Sequence, residues 1–166
     1  MKTYLATMTG AVLLSGLVLL QGCVAVAAGG AAAWASAAVD RRTTGTLVED
    51  EAIELKAVRA ILADADLKAQ AHLNVTSYNT VVLLTGETPS KELREHAEQV
   101  VRGIEKVSTV HNEITIAAPS SLITRSSDTV ITSKVKTKLL ADKNIEGVNI
   151  KVVTENGVVY LMGLAR

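Results

Sequence analysis

The sequence predicts an α+β fold in which a unit of one helix and one β-hairpin occurs twice within 166 residues. The first observation is an internal repeat, because residues 74–86 match residues 151–163 at a constant offset of 77. The second is that residues 53–64 match residues 131–142 at an offset of 78. The third is periodicity, since apolar residues follow a helical spacing before each hairpin. A duplicated unit accounts for all three observations.

The first unit begins with a predicted helix over residues 50–63. Ile53, Ala57 and Ile61 recur at helical spacing and are the expected core positions. A hairpin rich in valine and leucine follows within residues 74–86. Its centre, Asn79-Thr80, is a poorer form of the two-residue turn that joins antiparallel strands.

A second helix and a third strand complete the first unit. Pro89 is expected to open this helix, where a missing N–H costs nothing. Val107 to Ile116 is expected to form the last strand, in which Val110, Ile114 and Ile116 alternate. The predicted order of the unit is therefore αββαβ. The apolar stripe of its second helix comprises Leu93, Ala97, Val100, Val101 and Ile104.

The second unit repeats the helix and the hairpin. Ser127-Asp128 offers an N-cap for a predicted helix over residues 129–141. Asn156-Gly157 is the pair that a type I′ turn prefers, because both positions need positive φ. Thirty residues separate Gly86 from Ile116, whereas the sequence ends three residues after Gly163. We therefore expect the second unit to lack its last helix and strand, as in a truncated chain.

The N-terminal segment has the features of a targeting signal. No residue from Thr3 to Val39 is charged, and Lys2 supplies a short positive start. Leu20-Gln21-Gly22-Cys23 is similar to the lipobox of bacterial lipoproteins, which implies a signal peptide over residues 1–22 and lipidation of Cys23. The alternative is a membrane helix beside an incidental cysteine. The Ala- and Gly-rich stretch that follows is either a linker or a segment lying on the membrane.

Composition argues against several classes of function. Lysine plus arginine and aspartate plus glutamate both number 17, and aromatic residues make up 2% of the chain, which disfavours nucleic-acid binding. One cysteine excludes a multi-cysteine metal site. His72, His96 and His111 share no metal-ligand spacing. We therefore expect no enzymatic activity, no cofactor, no metal site and no nucleic-acid partner.

The unit order, with Gly103-Ile104-Glu105-Lys106-Val107 before the last strand, resembles the BON domain. Two such units behind a lipobox resemble the dual-BON-domain lipoproteins of the Gram-negative outer membrane. The resemblance implies two tandem α/β sandwiches, an anchor in the outer membrane at its periplasmic face, binding of anionic phospholipid and support of outer-membrane integrity. Some members of this group are named haemolysins. The chain then divides into a signal peptide (1–22), a lipidated cysteine and linker (23–45), a first BON domain (46–116), a linker (117–126) and an incomplete second BON domain (127–166).

The helix of the second unit is the expected lipid-binding surface. At about 100° per residue, Ile131, Val135 and Leu139 face the core. An apolar residue beside lysines on the outward side suits an anionic membrane surface. In related proteins this helix is implicated in lipid contact. The expected lipid-binding residues are Val130, Ser133, Lys134, Lys136, Thr137 and Lys138.

Two other interpretations remain open for this surface. The lysines could form only a solvated face, as most charge runs do. The first unit carries 12 acidic and 7 basic residues, so its net charge of −5 also suits an adaptor that contacts outer-membrane assembly proteins. Leu140 is ambiguous, because its repeat equivalent Leu62 is a candidate core residue.

Overall fold

The computed structural model describes residues 43–164. These residues belong to one compact body, Asp40–Arg166, which contains both units of the repeat. The predicted signal peptide, Cys23 and the linker up to residue 42 lie outside the described residues. Among the described helices, none is both long and apolar enough to cross a membrane.

The first unit contains three helices and a four-stranded sheet. Its elements are α1 (Thr44–Ala63), α2 (Ala65–Gln70), β1 (His72–Tyr78), β2 (Val81–Thr88), α3 (Lys91–Arg102), β3 (Thr109–Asn112) and β4 (Thr115–Ile116). Strand β2 is central, with β1 antiparallel on one side and β3 and β4 parallel on the other. The predicted order αββαβ is confirmed, with one additional short helix after α1.

Capping residues explain why the helix boundaries differ from those predicted. Helix α1 begins at Thr44 rather than residue 50, because the Thr43 hydroxyl accepts the amide N–H of Thr46 at 3.1 Å. Pro89 does not open α3. Ser90 is the N-cap, and its hydroxyl accepts the amide N–H of Leu93.

The predicted last strand is interrupted at its centre. Asn112 turns the chain by accepting the amide N–H of Ile114 on its side-chain oxygen at 3.2 Å. The amide of Glu113 still donates to the carbonyl oxygen of Leu84, at 2.9 Å. This turn buries Ile114, whereas Ile116, expected on the inward side, is half exposed.

The core of the first unit lies between its sheet and its helices. The three residues expected from helical spacing, Ile53, Ala57 and Ile61, are all buried. They pack against one face of β1 and β2, and Leu62 lies on the exposed side of α1. The buried cluster comprises Ile53, Ala57, Ile61, Leu67, Val82, Leu84, Ala97, Val101, Val110 and Ile114.

The second unit consists of one long helix and a hairpin. Helix α4 (Leu122–Ala141) is followed by a 3₁₀ turn (Gly147–Asn149) and strands β5 (Ile150–Glu155) and β6 (Val158–Gly163). Helix α4 begins within residues 117–126, which the sequence assigns to a linker. Its N-cap is Ser121, so the predicted cap at Ser127-Asp128 is wrong. Ser127 and Asp128 are helical because the earlier cap starts the helix two turns upstream.

The hairpin of the second unit covers the outer face of the first sheet. The Tyr78 hydroxyl donates to the carbonyl oxygen of Asn149 at 2.9 Å. The Lys151 ammonium group lies 2.7 Å from a carboxylate oxygen of Glu54 and donates to the carbonyl oxygen of Ser77 at 3.2 Å. The face of β1 and β2 opposite the core is therefore an interface between the two units.

Candidate lipid-binding surface

The expected lipid-binding residues all lie on helix α4, and all are exposed. Val130 has 53% of its surface exposed, and Ser133, Lys134 and Thr137 lie on the same outward side. The residues expected to face the core, Ile131, Val135 and Leu139, are half-buried against the hairpin. Leu140 is exposed, which settles its ambiguity in favour of the surface.

The hydroxyl groups on this side bond to the helix that carries them. Ser133 donates to the carbonyl oxygen of Thr129 at 2.9 Å, and Thr137 donates to that of Ser133 at 2.8 Å. Such bonds to the fourth residue upstream satisfy the hydroxyl hydrogen without water. They lower the cost of placing this face against a less polar medium.

The three lysines occupy two flanks of α4 instead of one face. Lys134 and Lys138 are four residues apart and are neighbours on the helix surface. Lys136 lies on the other flank, where it lines an open cleft of about 450 Å³ together with His72 and Glu155. Within residues 43–164, no ion pair involves any of the three. Their charges are therefore available to an anionic partner.

The first unit shows that most of these helix positions stay accessible when another helix packs nearby. Helix α3 packs on α1, yet five equivalents of the α4 surface positions are exposed, whereas Ala52 and Ala60, which match Val130 and Lys138, are partly buried. One equivalent differs in charge environment, because Lys56, which matches Lys134, lies 3.3 Å from a carboxylate oxygen of Glu105. The exposed equivalents of Ser133, Lys134, Lys136, Thr137 and Leu140 are Leu55, Lys56, Val58, Arg59 and Leu62.

Two aspartates position the helices against the hairpin turns. Asp50 on α1 accepts the amide N–H groups of Asn79 and Thr80 at 2.8 and 2.9 Å. Asp128 on α4 accepts those of Asn156 and Gly157 at 2.9 and 2.8 Å. Sequence reasoning missed this role, although the two aspartates share the repeat offset of 78.

The turns that these aspartates hold have positive φ at both central residues. Asn156 and Gly157 have φ of 50° and 78°, which confirms the predicted type I′ turn. Asn79 and Thr80 have φ of 52° and 65°. This conformation is strained for the β-branched Thr80. The hydrogen bonds from Asp50 stabilise it and fix α1 over the turn.

A cleft beside α4 is lined by polar groups of both units. Thr132 on α4 donates to the hydroxyl of Thr154 on β5 at 2.7 Å. Burial raises the pKa of the Tyr160 hydroxyl, and the carboxylates of Glu113 and Glu155 raise it further. The Tyr160 hydroxyl therefore lies near the negative charges of these two carboxylates.

Comparison with known proteins identifies the duplicated unit. The model of the BON domain family matches residues 49–118 and 127–166. Over 153 residues the chain is 40% identical to "Outer membrane lipoprotein DolP" of Haemophilus influenzae, covering 92% of this chain and 79% of the relative. The chain is also 39% identical over 125 residues to the "21 kDa hemolysin" of Actinobacillus pleuropneumoniae, covering 75% of this chain and 64% of the relative.

A third relative is also similar in sequence to this chain over most of the chain's length. The "Osmotically-inducible protein Y" of Escherichia coli is 36% identical over 121 residues, covering 72% of this chain and 60% of the relative. The chain thus spans less than two thirds of the second and third relatives. The outer-membrane location expected from the sequence agrees with the first relative, which aligns over most of both chains. This chain, an outer-membrane lipoprotein with two BON segments, belongs to the BON domain family.

Proposed function

We propose that the protein is anchored through Cys23 and binds anionic phospholipid with helix α4, and that this contact supports the integrity of the outer membrane. The observation that carries the proposal is the outward side of α4. Exposed Val130 lies there beside Lys134, and neither Lys134 nor Lys138 has an acidic partner within residues 43–164.

The charges on α4 are sufficient for a reversible contact. Each lysine near an anionic lipid surface contributes about 1 kcal/mol. Lys134 and Lys138 together therefore favour the contact by about 2 kcal/mol, a factor of roughly 30 in the equilibrium. Val130 adds a small apolar contribution. Such a contact is weak in isolation, but an anchor that keeps the protein at the membrane raises the effective lipid concentration.

The two hydroxyl groups on the outward side of α4 are not arranged for nucleophilic catalysis. Ser133 and Thr137 are hydrogen-bonded to backbone carbonyl groups, so neither hydroxyl is paired with a base that could activate it. The relatives whose names mention the outer membrane or haemolysis are consistent with a protein that acts at a lipid surface.

A reporter on α4 tests the proposal in the full lipidated chain. An environment-sensitive dye is attached to a Ser133→Cys variant, and the protein is anchored in vesicles of phosphatidylcholine with or without phosphatidylglycerol. We expect the dye to report a less polar environment only with phosphatidylglycerol. Salt should reverse the change, because the Debye length falls from about 10 Å at 0.1 M to about 3 Å at 1 M.

Charge reversal identifies the residues responsible. When Lys134→Glu and Lys138→Glu are added to the labelled variant, the equilibrium constant for docking on phosphatidylglycerol should fall by at least about 30-fold. The matched control reverses Lys56 and Lys91 on the first unit, which changes the net charge equally and should leave the signal unchanged. An identical signal in both vesicles, or an equal loss in both variants, would contradict the proposal. An adaptor that contacts assembly proteins would then be the better explanation.

A further inference from the structure

Three side chains that carry metal-binding groups meet where the two units pack together. His72 begins β1, and Glu87 lies directly opposite it on β2 in the antiparallel register. Glu155 reaches the same place from the end of β5. One ring nitrogen of His72 and one carboxylate oxygen from each glutamate lie within 4.8 Å of one another. The cluster therefore combines two ligands from the first unit with one from the second.

The backbone brings β1 and β2 unusually close at this point. Gly86, next to Glu87, has a φ of 119°, and a Cβ atom there would collide with the carbonyl oxygen of His72. Only glycine fits this close approach. The approach holds the His72 and Glu87 side chains side by side on the face that the second unit covers.

The carboxylates are oriented by neutral hydrogen-bond donors. The Asn74 side-chain amide donates to Oε2 of Glu155 at 2.7 Å, and the Thr85 hydroxyl donates to the same oxygen at 3.2 Å. The Asn156 amide donates to Oε1 of Glu87 at 2.5 Å. These three donors come from both units. They fix the carboxylates without neutralising either charge.

One oxygen of the cluster has no hydrogen-bond partner. Glu87 is only 1% exposed, and its Oε2 atom is the sole buried side-chain oxygen or nitrogen without a partner among residues 43–164. Glu155 is 7% exposed. In this same part of the chain, no lysine or arginine forms an ion pair with either glutamate. Two buried carboxylates without a counter-charge are costly, and a cation between them would remove that cost.

We propose that His72, Glu87 and Glu155 bind one divalent transition-metal ion, with Zn²⁺ as the best match. An imidazole nitrogen with two carboxylate oxygens suits zinc, whereas magnesium and calcium take oxygen ligands. Ligand atoms in a zinc site lie about 2.0–2.2 Å from the metal, so the three side chains need only small movements toward a common centre. The adjoining cleft, lined by His72 and Glu155, provides an entry path and room for a water ligand.

The metal would join the two BON segments. Its ligands and their hydrogen-bond donors are divided between β1, β2 and the β5–β6 hairpin, so the complete site exists only when the units are docked. Metal binding therefore stabilises the docked arrangement by mass action. This role is independent of the proposed phospholipid contact, because the outward side of α4 contributes no ligand.

Calorimetric titration of the full chain with Zn²⁺ tests the site. The protein is purified in detergent with a histidine-free tag, treated with a chelator and dialysed. We expect one zinc ion per chain and a higher melting temperature with zinc. Changing a residue that only hydrogen-bonds to a metal ligand lowers metal affinity by ~10–100-fold. Glu87→Gln and His72→Gln change the ligands themselves, so each should weaken zinc binding by more than this. Binding of Co²⁺ in place of zinc should give visible ligand-field absorption that both variants lose.

Matched variants separate loss of the site from loss of folding. Glu113→Gln and His111→Gln change exposed residues of the same types and should bind zinc like the parent. Without metal, Glu87→Gln should melt at or above the parent temperature, since it removes a buried charge. The inference fails if the parent binds no zinc, or if Glu87→Gln and His72→Gln bind it as tightly as the parent. The neutral hydrogen-bond donors alone would then account for the arrangement of the cluster.

Discussion

The two units of the duplication keep the same contact between helix and hairpin but differ in how much of the helix they bury. In both, an aspartate on the long helix accepts two amide N–H groups of the turn. Ile53, Ala57 and Ile61 on α1 are buried, whereas the equivalent Ile131, Val135 and Leu139 on α4 are only partly buried. The trend continues beyond the helices, where Leu67 is fully buried and its equivalent Ile145 is 42% exposed. Backbone amides at a turn must be satisfied in either unit, whereas the burial of a helix depends on which elements pack around it.

The same comparison explains why we propose phospholipid binding for the second unit. Helix α1 has α2 and α3 packed against it, and Lys56 on its surface is paired with Glu105. Within the described residues, α4 packs chiefly on β5 and the 3₁₀ turn, and Lys134 has no acidic partner. The repeated helix is thus more deeply buried in the first unit than in the second, and, in the part of the chain that the structure describes, its surface lysine is paired with a glutamate only in the first.

The largest difference between the units should appear on truncating Leu67 and Ile145. Leu67→Ala removes a fully buried side chain and should lower the free energy of unfolding by about 2–5 kcal/mol. Ile145→Ala should cost less than about 1 kcal/mol, because its side chain is already partly in water. Thermal denaturation of the full chain, followed by circular dichroism, gives both values. Equal destabilisation would show that the units bury this position alike.

Removing the turn aspartates should lower the stability of both units, because both depend on hydrogen bonds from an aspartate to the hairpin turn. Asp50→Ala and Asp128→Ala each leave two turn amides without their charged acceptor. Hydrogen bonds to charged groups contribute about 1.5–3 kcal/mol, so each variant should be destabilised by about that much or more. Hydrogen exchange should accelerate at Asn79 and Thr80 in the first variant and at Asn156 and Gly157 in the second. Unchanged exchange at either turn would show that the aspartate does not stabilise the turn in that unit.

A smaller and pH-dependent difference is expected at Asp64 and Asp142. The amide N–H of Leu67 and the side chain of His96 hold the pKa of Asp64 below its usual value. The ionised Asp64 side chain therefore stabilises the folded protein at pH values above the pKa of an aspartate in the unfolded chain, about 3.9. This stabilisation is lost as the pH falls through the lower pKa that Asp64 has in the folded protein. Asp64→Ala should speed hydrogen exchange in α2 at neutral pH, and this difference should shrink on acidification.

Asp142→Ala provides the control for that measurement. Asp142 accepts the amide N–H of Asn144 at 2.8 Å, but no α-helix follows it in residues 143–164. We expect little change in exchange at any pH in this variant. An Asp64→Ala effect that persists at low pH would show that packing, instead of the charged cap, is responsible.

Much of each unit was predictable because its signals are local. Helical spacing identified Ile53, Ala57 and Ile61, and Asn156-Gly157 identified the type I′ turn. The cap at Ser127-Asp128 was wrongly predicted because Asp128 is required by a turn that lies 28 residues away. The sequence marks the aspartate as a cap candidate, but only the fold shows which amides it accepts.

The interface between the units could not be predicted, because its partners are distant in the sequence. His72 and Glu87 are 15 residues apart, and Glu155 lies 68 residues beyond Glu87. Motif searches recognise metal ligands a few residues apart on one element, and none here has such spacing. The expected absence of a metal site rested on that local search. The three side chains meet only because the second hairpin covers the outer face of the first sheet.

Lysine footprinting tests most directly the central claim that α4, and not α1, contacts anionic lipid. The lipidated chain is anchored in vesicles with or without phosphatidylglycerol and treated with a water-soluble amine-reactive reagent, and modification of each lysine is quantified by mass spectrometry. Lys134 and its repeat equivalent Lys56 form a matched pair, since both are exposed. We predict that phosphatidylglycerol protects Lys134 and Lys138 but leaves Lys56 unchanged. Equal modification of Lys134 in both vesicles, or equal protection of Lys56, would contradict the account.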